Sequence, residues 1–271
     1  MAGGGERRQV LTQSADREYW DDRARKHGRA ACGCLNPIEY AYEEPLRWDA
    51  FRRLVRLQPG WHVLDIGCGV GTWSRRIADH GTLVVGADFS AEMIMMATPA
   101  SGVEFMVGSA QDLDLPDGSI DLALSVTVLQ HITSDGELQH ALANIHRMIK
   151  PGGLFFVIEY SPRRVTDQQA RATHMRYRTR SEWIGVFKAS GFDLVKLTGV
   201  RYLGHRVLGG GVARWRRLRG RRGSASISDP VLAGPEKAFK VVGTAIDRIA
   251  ARVPGTNSIS DLHAFLFARK P

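Results

Sequence analysis

The chain has 271 residues, 44% of them hydrophobic and 24% charged, an ordinary globular composition at a length that buries a substantial core. Three cysteines are too few for a disulfide framework and fit a reducing cytoplasm, and no apolar run approaches the roughly 20 residues of a membrane-spanning helix. The net charge of +9 calls for something negative nearby, and where that charge lies along the chain decides what.

Residues 1–12 are glycine-rich and charged, a composition that does not bury a core. Arg7 and Arg8 open no export signal, because no apolar stretch follows them. Ser14 starts a helix that runs to about His27. The next loop carries Cys32 and Cys34, which with His27 fall short of the four ligands of a closed zinc site, so no metal is expected. A second helical region spans Ile38 to Leu57, broken or bent near Pro45, and ends at Pro59-Gly60.

From there strands alternate with helices. Strands are expected at His62–Ile66, Leu83–Ala87, Val103–Val107, Ile120–Val126 and Leu154–Glu159, the last opened by a turn at Pro151-Gly152-Gly153. Helices follow the first, second and fourth of these, with Ser90 and Ser134 as caps. After a basic stretch beyond Pro162, a helix from about Ser181 to Ser190 leads into a sixth strand, Phe192 to about Tyr202. Asp261–Arg269 supplies a seventh. The alternation implies a mostly parallel sheet with helices on both faces. About 55 residues separate the last two strands, far beyond the usual loop of roughly 4–6. This excursion is read as an insertion holding a basic loop and an amphipathic helix from about Pro235 to Val253.

The stretch "VLDIGCGVGTWS", Val63 to Ser74, places Asp65 near the end of a strand and glycine at 67, 69 and 71 before a helix. Glycines let a ligand approach the backbone, and the helix start offers free N–H groups and partial positive charge. The spacing is neither that of the dinucleotide fingerprint nor, lacking a lysine, that of a P-loop.

Taken with "VVGADFS", "VGSAQDLDLPDGSIDLALSVTVLQHI" and "MIKPGGLFFVIE", this stretch resembles the class I S-adenosylmethionine-dependent methyltransferases. The motifs come in the family's order at the ends of successive strands, and Asp88 follows Asp65 by 23 residues. The resemblance covers Pro59 to Tyr202 and the final strand. It implies a Rossmann-like seven-stranded sheet in residues 59–203 plus 258–271, an N-terminal tail and helical lid in 1–58, and the insertion in 204–257. It implies S-adenosylmethionine as cofactor. Gly67, Cys68, Gly69 and Gly71 would wrap its methionine part, Asp65 would hold its ammonium, and Asp88 its ribose hydroxyls. Phe89, Ala110, Gln111 and Asp112 would serve the adenine and Val126 the methionine end, with Tyr19 or Trp20 contacting it from the lid.

The loop after strand four lacks the Asn/Asp-Pro-Pro-aromatic motif of enzymes acting on nucleobase amines. His131 in that loop is a candidate base, since imidazole titrates near neutrality, or it simply packs on the next helix. Glu159, after strand five, is the rival base. Tyr40, Tyr42, Trp48, Met175, Tyr177 and Trp183 fall in the segments that would roof a substrate chamber.

Six of the nine net charges are arginines between Arg214 and Arg222, so the positive charge is concentrated in the insertion. Such a cluster suits RNA, an anionic membrane surface, or an anionic or carrier-bound substrate, or is a solvated loop. Only Trp215 is interleaved with it, which disfavours nucleic acid as the partner. The expected activity is methyl transfer to a small molecule, a specialised metabolite among the classes considered. RNA methylation and non-catalytic cofactor binding are the alternatives.

Overall fold

The computed structural model describes residues 17–31, 37–172, 174–202, 204 and 234–270. The N-terminal tail, Ser14, Cys32, Cys34 and the arginine cluster between Arg214 and Arg222 lie outside the described residues.

Seven strands form one sheet in the order β3-β2-β1-β4-β5-β7-β6. They are β1 His62–Ile66, β2 Leu83–Asp88, β3 Val103–Val107, β4 Ile120–Val126, β5 Ile149–Tyr160, β6 Phe192–Arg201 and β7 Leu262–Arg269. The first five pair in parallel, and β7 runs antiparallel between β5 and β6. The chain goes one way from β1 to β2 and β3 and returns to the other side of β1 for β4. That reversal opens a crevice at the carboxyl ends of β1 and β4, the place where open α/β sheets bind ligands.

Strand sequences show why the sheet is covered twice. Adjacent residues point to opposite faces, so a strand buried on both sides is apolar throughout. Val63, Leu122, Leu124 and Phe156 pack on one face with Phe51, Trp73 and Ile77 from α2 (Pro37–Leu54) and α3 (Thr72–Ala78). Leu64, Ala123, Phe155 and Val157 pack on the other, under Leu142 and Ile145 of α5 (Asp135–Met148) and Trp183 and Phe187 of α7 (Arg180–Ala189). The short α4 (Ala91–Met95) and α6 (Asp167–Ala170), together with α1 (17–27) and α8 (Gly234–Ala250), complete the helices used below.

Two expectations are corrected. Helix α2 runs unbroken through Pro45. Its buried residues Tyr42, Leu46, Trp48 and Phe51 hold it on the core, which outweighs the lost backbone hydrogen bond. Strand β5 begins at Ile149, before the anticipated turn. Ile149 pairs with Ile120 and Leu154 with Leu122, so Pro151-Gly152-Gly153 is an irregularity inside the strand. The capped helix starts agree with the reading: Ser90 and Ser134 Oγ accept the amides of Met93 and Glu137. Thr166, which caps α6, was not anticipated.

Candidate functional site

At the end of β1 the chain turns through Gly67, Gly69 and Gly71, all with positive φ. The amides of Gly67 and Cys68 both donate to the Ala87 carbonyl, at 2.7 and 3.0 Å, which ties the turn to β2. A Cβ on Gly67 would lie 2.3 Å from Val128, so this glycine also lets the loop after β4 come close. A Cβ on Gly71, the residue that caps the start of α3, would lie equally close to the Phe105 ring.

Two carboxylates flank the turn. Asp65 is buried and accepts a hydrogen bond from Ser74 Oγ at 2.6 Å. Burial, with the neighbouring Asp88 charge adding to it, pushes its pKa up to about 7. Asp88 accepts from the Gly69 amide at 2.8 Å and the Ser90 amide at 3.0 Å, and burial lifts its pKa to about 6. Neither carboxylate forms an ion pair with a described residue.

Helix α1 closes over this end. Ser90 Oγ donates to Asp21, Arg25 pairs with Glu92 at 3.3 Å, and Arg29 reaches the Met96 carbonyl at 2.8 Å. Under the helix lies a cavity of about 410 Å³. Its walls include Asp65, Gly67, Cys68, Gly69, Asp88 and Phe89, then Ala110, Gln111 and Val126, with Tyr19 and Trp20 from α1. Asn144 fixes the adjoining loop by donating to the carbonyls of Ala110 and Leu113. Gly71 lies behind the cavity wall. Asp112 is exposed, held by Ser109 Oγ at 2.8 Å, and is not among the lining residues.

The far end of the cavity is aromatic. His131 lies at the end of a short 3-10 turn, Leu129–His131, and its Nδ1 is 2.8 Å from the His174 carbonyl oxygen. A carbonyl only accepts, so Nδ1 carries the hydrogen and Nε2 keeps its lone pair. Trp20 meets the His131 ring edge to face at 4.9 Å. Burial drives the His131 pKa down to about 4, away from the neutral titration expected of a free imidazole.

Glu159, the rival base, is absent from the cavity wall. It is fully buried, and its Oε1 accepts the amides of Val128 at 3.1 Å and Leu129 at 2.8 Å. Its Oε2 has no hydrogen-bond partner, and burial pushes its pKa up to about 8. It anchors the loop that carries His131, next to Thr127, whose φ is 58°.

Of the large side chains expected in a chamber, Tyr40, Met175 and Tyr177 line the cavity, whereas Tyr42, Trp48 and Trp183 are core. Sequence reasoning missed Glu44, Arg47, Gln130 and His174. Tyr40, Glu44 and Arg47 share one helix face at spacings of four and three, a signal that was available. His174 has no such signal, because it stands in an irregular segment.

The residues fit a cationic, ribose-bearing ligand. A buried and a half-buried carboxylate, both without a cationic partner among the described residues, flank a turn that a side chain at position 67 would fill. The fold and turn thus define a Rossmann-like protein built to hold a nucleoside-type cofactor.

A family model described as a methyltransferase domain matches residues 63–153. The ubiquinone biosynthesis O-methyltransferase of Rhizobium rhizogenes is 31% identical over 190 residues, covering 62% of this chain and 75% of that protein. A probable S-adenosylmethionine-dependent methyltransferase of Mycolicibacterium smegmatis is 28% identical over 156 residues, covering 55% of this chain but only 59% of that protein's length. Phosphoethanolamine N-methyltransferase 1 of Haemonchus contortus shares the fold, with a TM-score of 0.64 at 17% identity over 96% of this chain and 49% of that one. The chain belongs to the class I S-adenosylmethionine-dependent methyltransferases.

Proposed function

We propose that this chain methylates a small-molecule acceptor held at the aromatic end of the cavity. The observation that carries the reading is the continuity of that cavity, from Asp65, Gly67 and Asp88 at one end to His131, His174 and Tyr177 at the other. Donor and acceptor then meet in one continuous cavity, which aligns the reacting atoms.

S-adenosylmethionine, when bound, supplies a methyl group on a cationic sulfur. Asp65 would hold its ammonium and Asp88 its ribose hydroxyls, with the loop from Gly108 to Gln111 beside the adenine. His131 would take the proton from the acceptor hydroxyl or amine through Nε2, the nitrogen left free by the bond to His174. Glu159 would serve as a positioning residue, holding the Val128–Leu129 backbone that precedes His131. The similarity to a quinone-pathway O-methyltransferase supports an aromatic hydroxyl as acceptor, and the Tyr40, Tyr160 and Tyr177 walls suit a flat ring. A specialised metabolite with such a ring falls within this proposal.

The test is incubation with the cofactor and a panel of catechols, hydroquinones and aryl amines, with S-adenosylhomocysteine release read by mass spectrometry. Turnover of a phenolic acceptor supports the reading. Absence of cofactor binding in calorimetry overturns it.

A further inference from the structure

The insertion helix α8 has two faces that do different things. One is fixed to the core. Asp247 accepts hydrogen bonds from the Tyr42 hydroxyl, the Tyr202 amide at 2.8 Å and the Gly204 amide at 2.7 Å. Phe239 packs on the Tyr42 ring at 5.1 Å, and Arg248 pairs with Asp49 of α2 at 2.7 Å. The helix cannot roll without breaking a buried carboxylate network.

The other face is apolar and open. Val242, Ala245 and Ile249 follow one another along α8 at spacings of three and four, a stripe that leaves Ile249 64% exposed, and Val253, 51% exposed, follows just past the end of the helix. Val241, 66% exposed, widens it. Lys237 on α8 and Arg252 just past its end flank the stripe, and Arg248, paired with Asp49, borders it. Among the described residues from 237 to 259 there is no exposed carboxylate, because the single acid, Asp247, is buried. In a globular protein such a stripe normally faces the core. Here the core is already on the other side.

We propose that this face docks on an anionic lipid bilayer. Charge decides among the occupants. A second copy would set one cationic flank against another, which is repulsive. A specific protein partner is anchored by aromatic side chains in pockets, and this stripe offers only valine, isoleucine and alanine. Short aliphatic side chains beside lysine and arginine match a helix lying in the interface of a negatively charged membrane, the apolar stripe in the acyl boundary and the cations at the headgroups. The surface is separate from the cavity. On α2, Tyr40, Glu44 and Arg47 line the cavity, while Tyr42 and Asp49 hold α8.

The test is flotation of the full chain with vesicles of mixed phosphatidylglycerol and phosphatidylcholine, against vesicles of phosphatidylcholine alone. The wild type should float with the anionic vesicles, at least tenfold less with the neutral ones, and should be released by high salt. The double variant Val242→Glu/Ile249→Glu should lose at least tenfold in vesicle affinity. Arg252→Gln, at an exposed position that leaves the fold alone, should lose roughly fivefold. Circular dichroism and cofactor calorimetry establish that each variant is folded. A wild type that stays with the soluble fraction overturns the proposal. So does vesicle binding that a folded double variant retains, or a dimer in sedimentation that the same double variant dissociates while vesicles are ignored.

Discussion

His131 Nδ1 donates to the carbonyl oxygen of His174 across 2.8 Å, and this one bond selects the tautomer that leaves Nε2 free. The segment 174–179 therefore does more than line the cavity. It supplies the backbone atom that orients the ring.

A pH profile follows. With the His131 pKa near 4, the imidazole is neutral and already a proton acceptor over the whole working range. Turnover should show no histidine limb between pH 6 and 8 (about half a unit either side of the free imidazole value of roughly 6.5 falls in this window). His131→Ala should lower kcat by about 10²–10⁴-fold with cofactor affinity unchanged. Near-normal kcat in the alanine variant would reduce His131 to a packing role, and a limb near neutrality would show that the ring is solvated in the working enzyme.

Cofactor affinity should fall as the pH drops. Asp65 and Asp88 carry raised pKa values, about 7 and about 6, because desolvation is not offset by a cationic partner among the described residues. Holding an ammonium or ribose hydroxyls favours the ionised form, so the dissociation constant should rise as the pH is lowered from 8 to 5.5 and these groups protonate. Asp88→Ala should weaken binding by about 1.5–3 kcal/mol, and Asp88→Asn by less. Calorimetry across that pH range checks both. A dissociation constant independent of pH would mean that neither carboxylate contacts the ligand.

Gly67 and Val128 should behave as a coupled pair. Alanine at 67 meets Val128 at 2.3 Å and must also adopt φ near +68°. Gly67→Ala should cost on the order of 2–4 kcal/mol, combining overpacking with backbone strain. Val128→Ala opens the space, so the double variant should recover the steric part and keep the strain. Urea denaturation of the four proteins gives the coupling. Strict additivity would show that the loop after β4 moves away at little cost.

The core was legible because its signals are local. Apolar strands bounded by glycine and capped helices fix β1 to β4 from a few residues each, and Asp65, Gly67 and Asp88 sit where strand ends put them. What escaped depends on distant contacts. Pro45 is tolerated only because Tyr42, Trp48 and Phe51 hold α2 down. The bulge in β5 follows from its register with β4, which no pattern within Ile149–Gly153 reveals. Glu159 looked like a base because it ends a strand at the right edge of the sheet. Strand alternation points it into the layer under the loop, where the amides of Val128 and Leu129 claim it.

That placement of Glu159 gives the last prediction. Its pKa is raised from about 4.3 in an unfolded chain to about 8 in the native protein. Between those values the unfolded state releases the proton and the native state keeps it. Its contribution to stability is thus fully present below pH 4.3 and is lost progressively as the pH rises toward 8. Glu159→Gln mimics the protonated side chain, and its single amide oxygen can still accept from Val128 and Leu129. At pH 4 the variant and the wild type should differ little in stability. At pH 9 the glutamine variant should be the more stable by several kcal/mol, on the order of 5. Activity separates positioning from catalysis. A group that only holds the loop should leave Glu159→Gln with most of its kcat, whereas a base would lose it. Thermal unfolding at several pH values, followed by a single kcat comparison, tests both parts. Parallel stability curves for the two proteins would show that the carboxylate is ionised in the native state, with Arg178 offsetting its burial more strongly than the geometry implies.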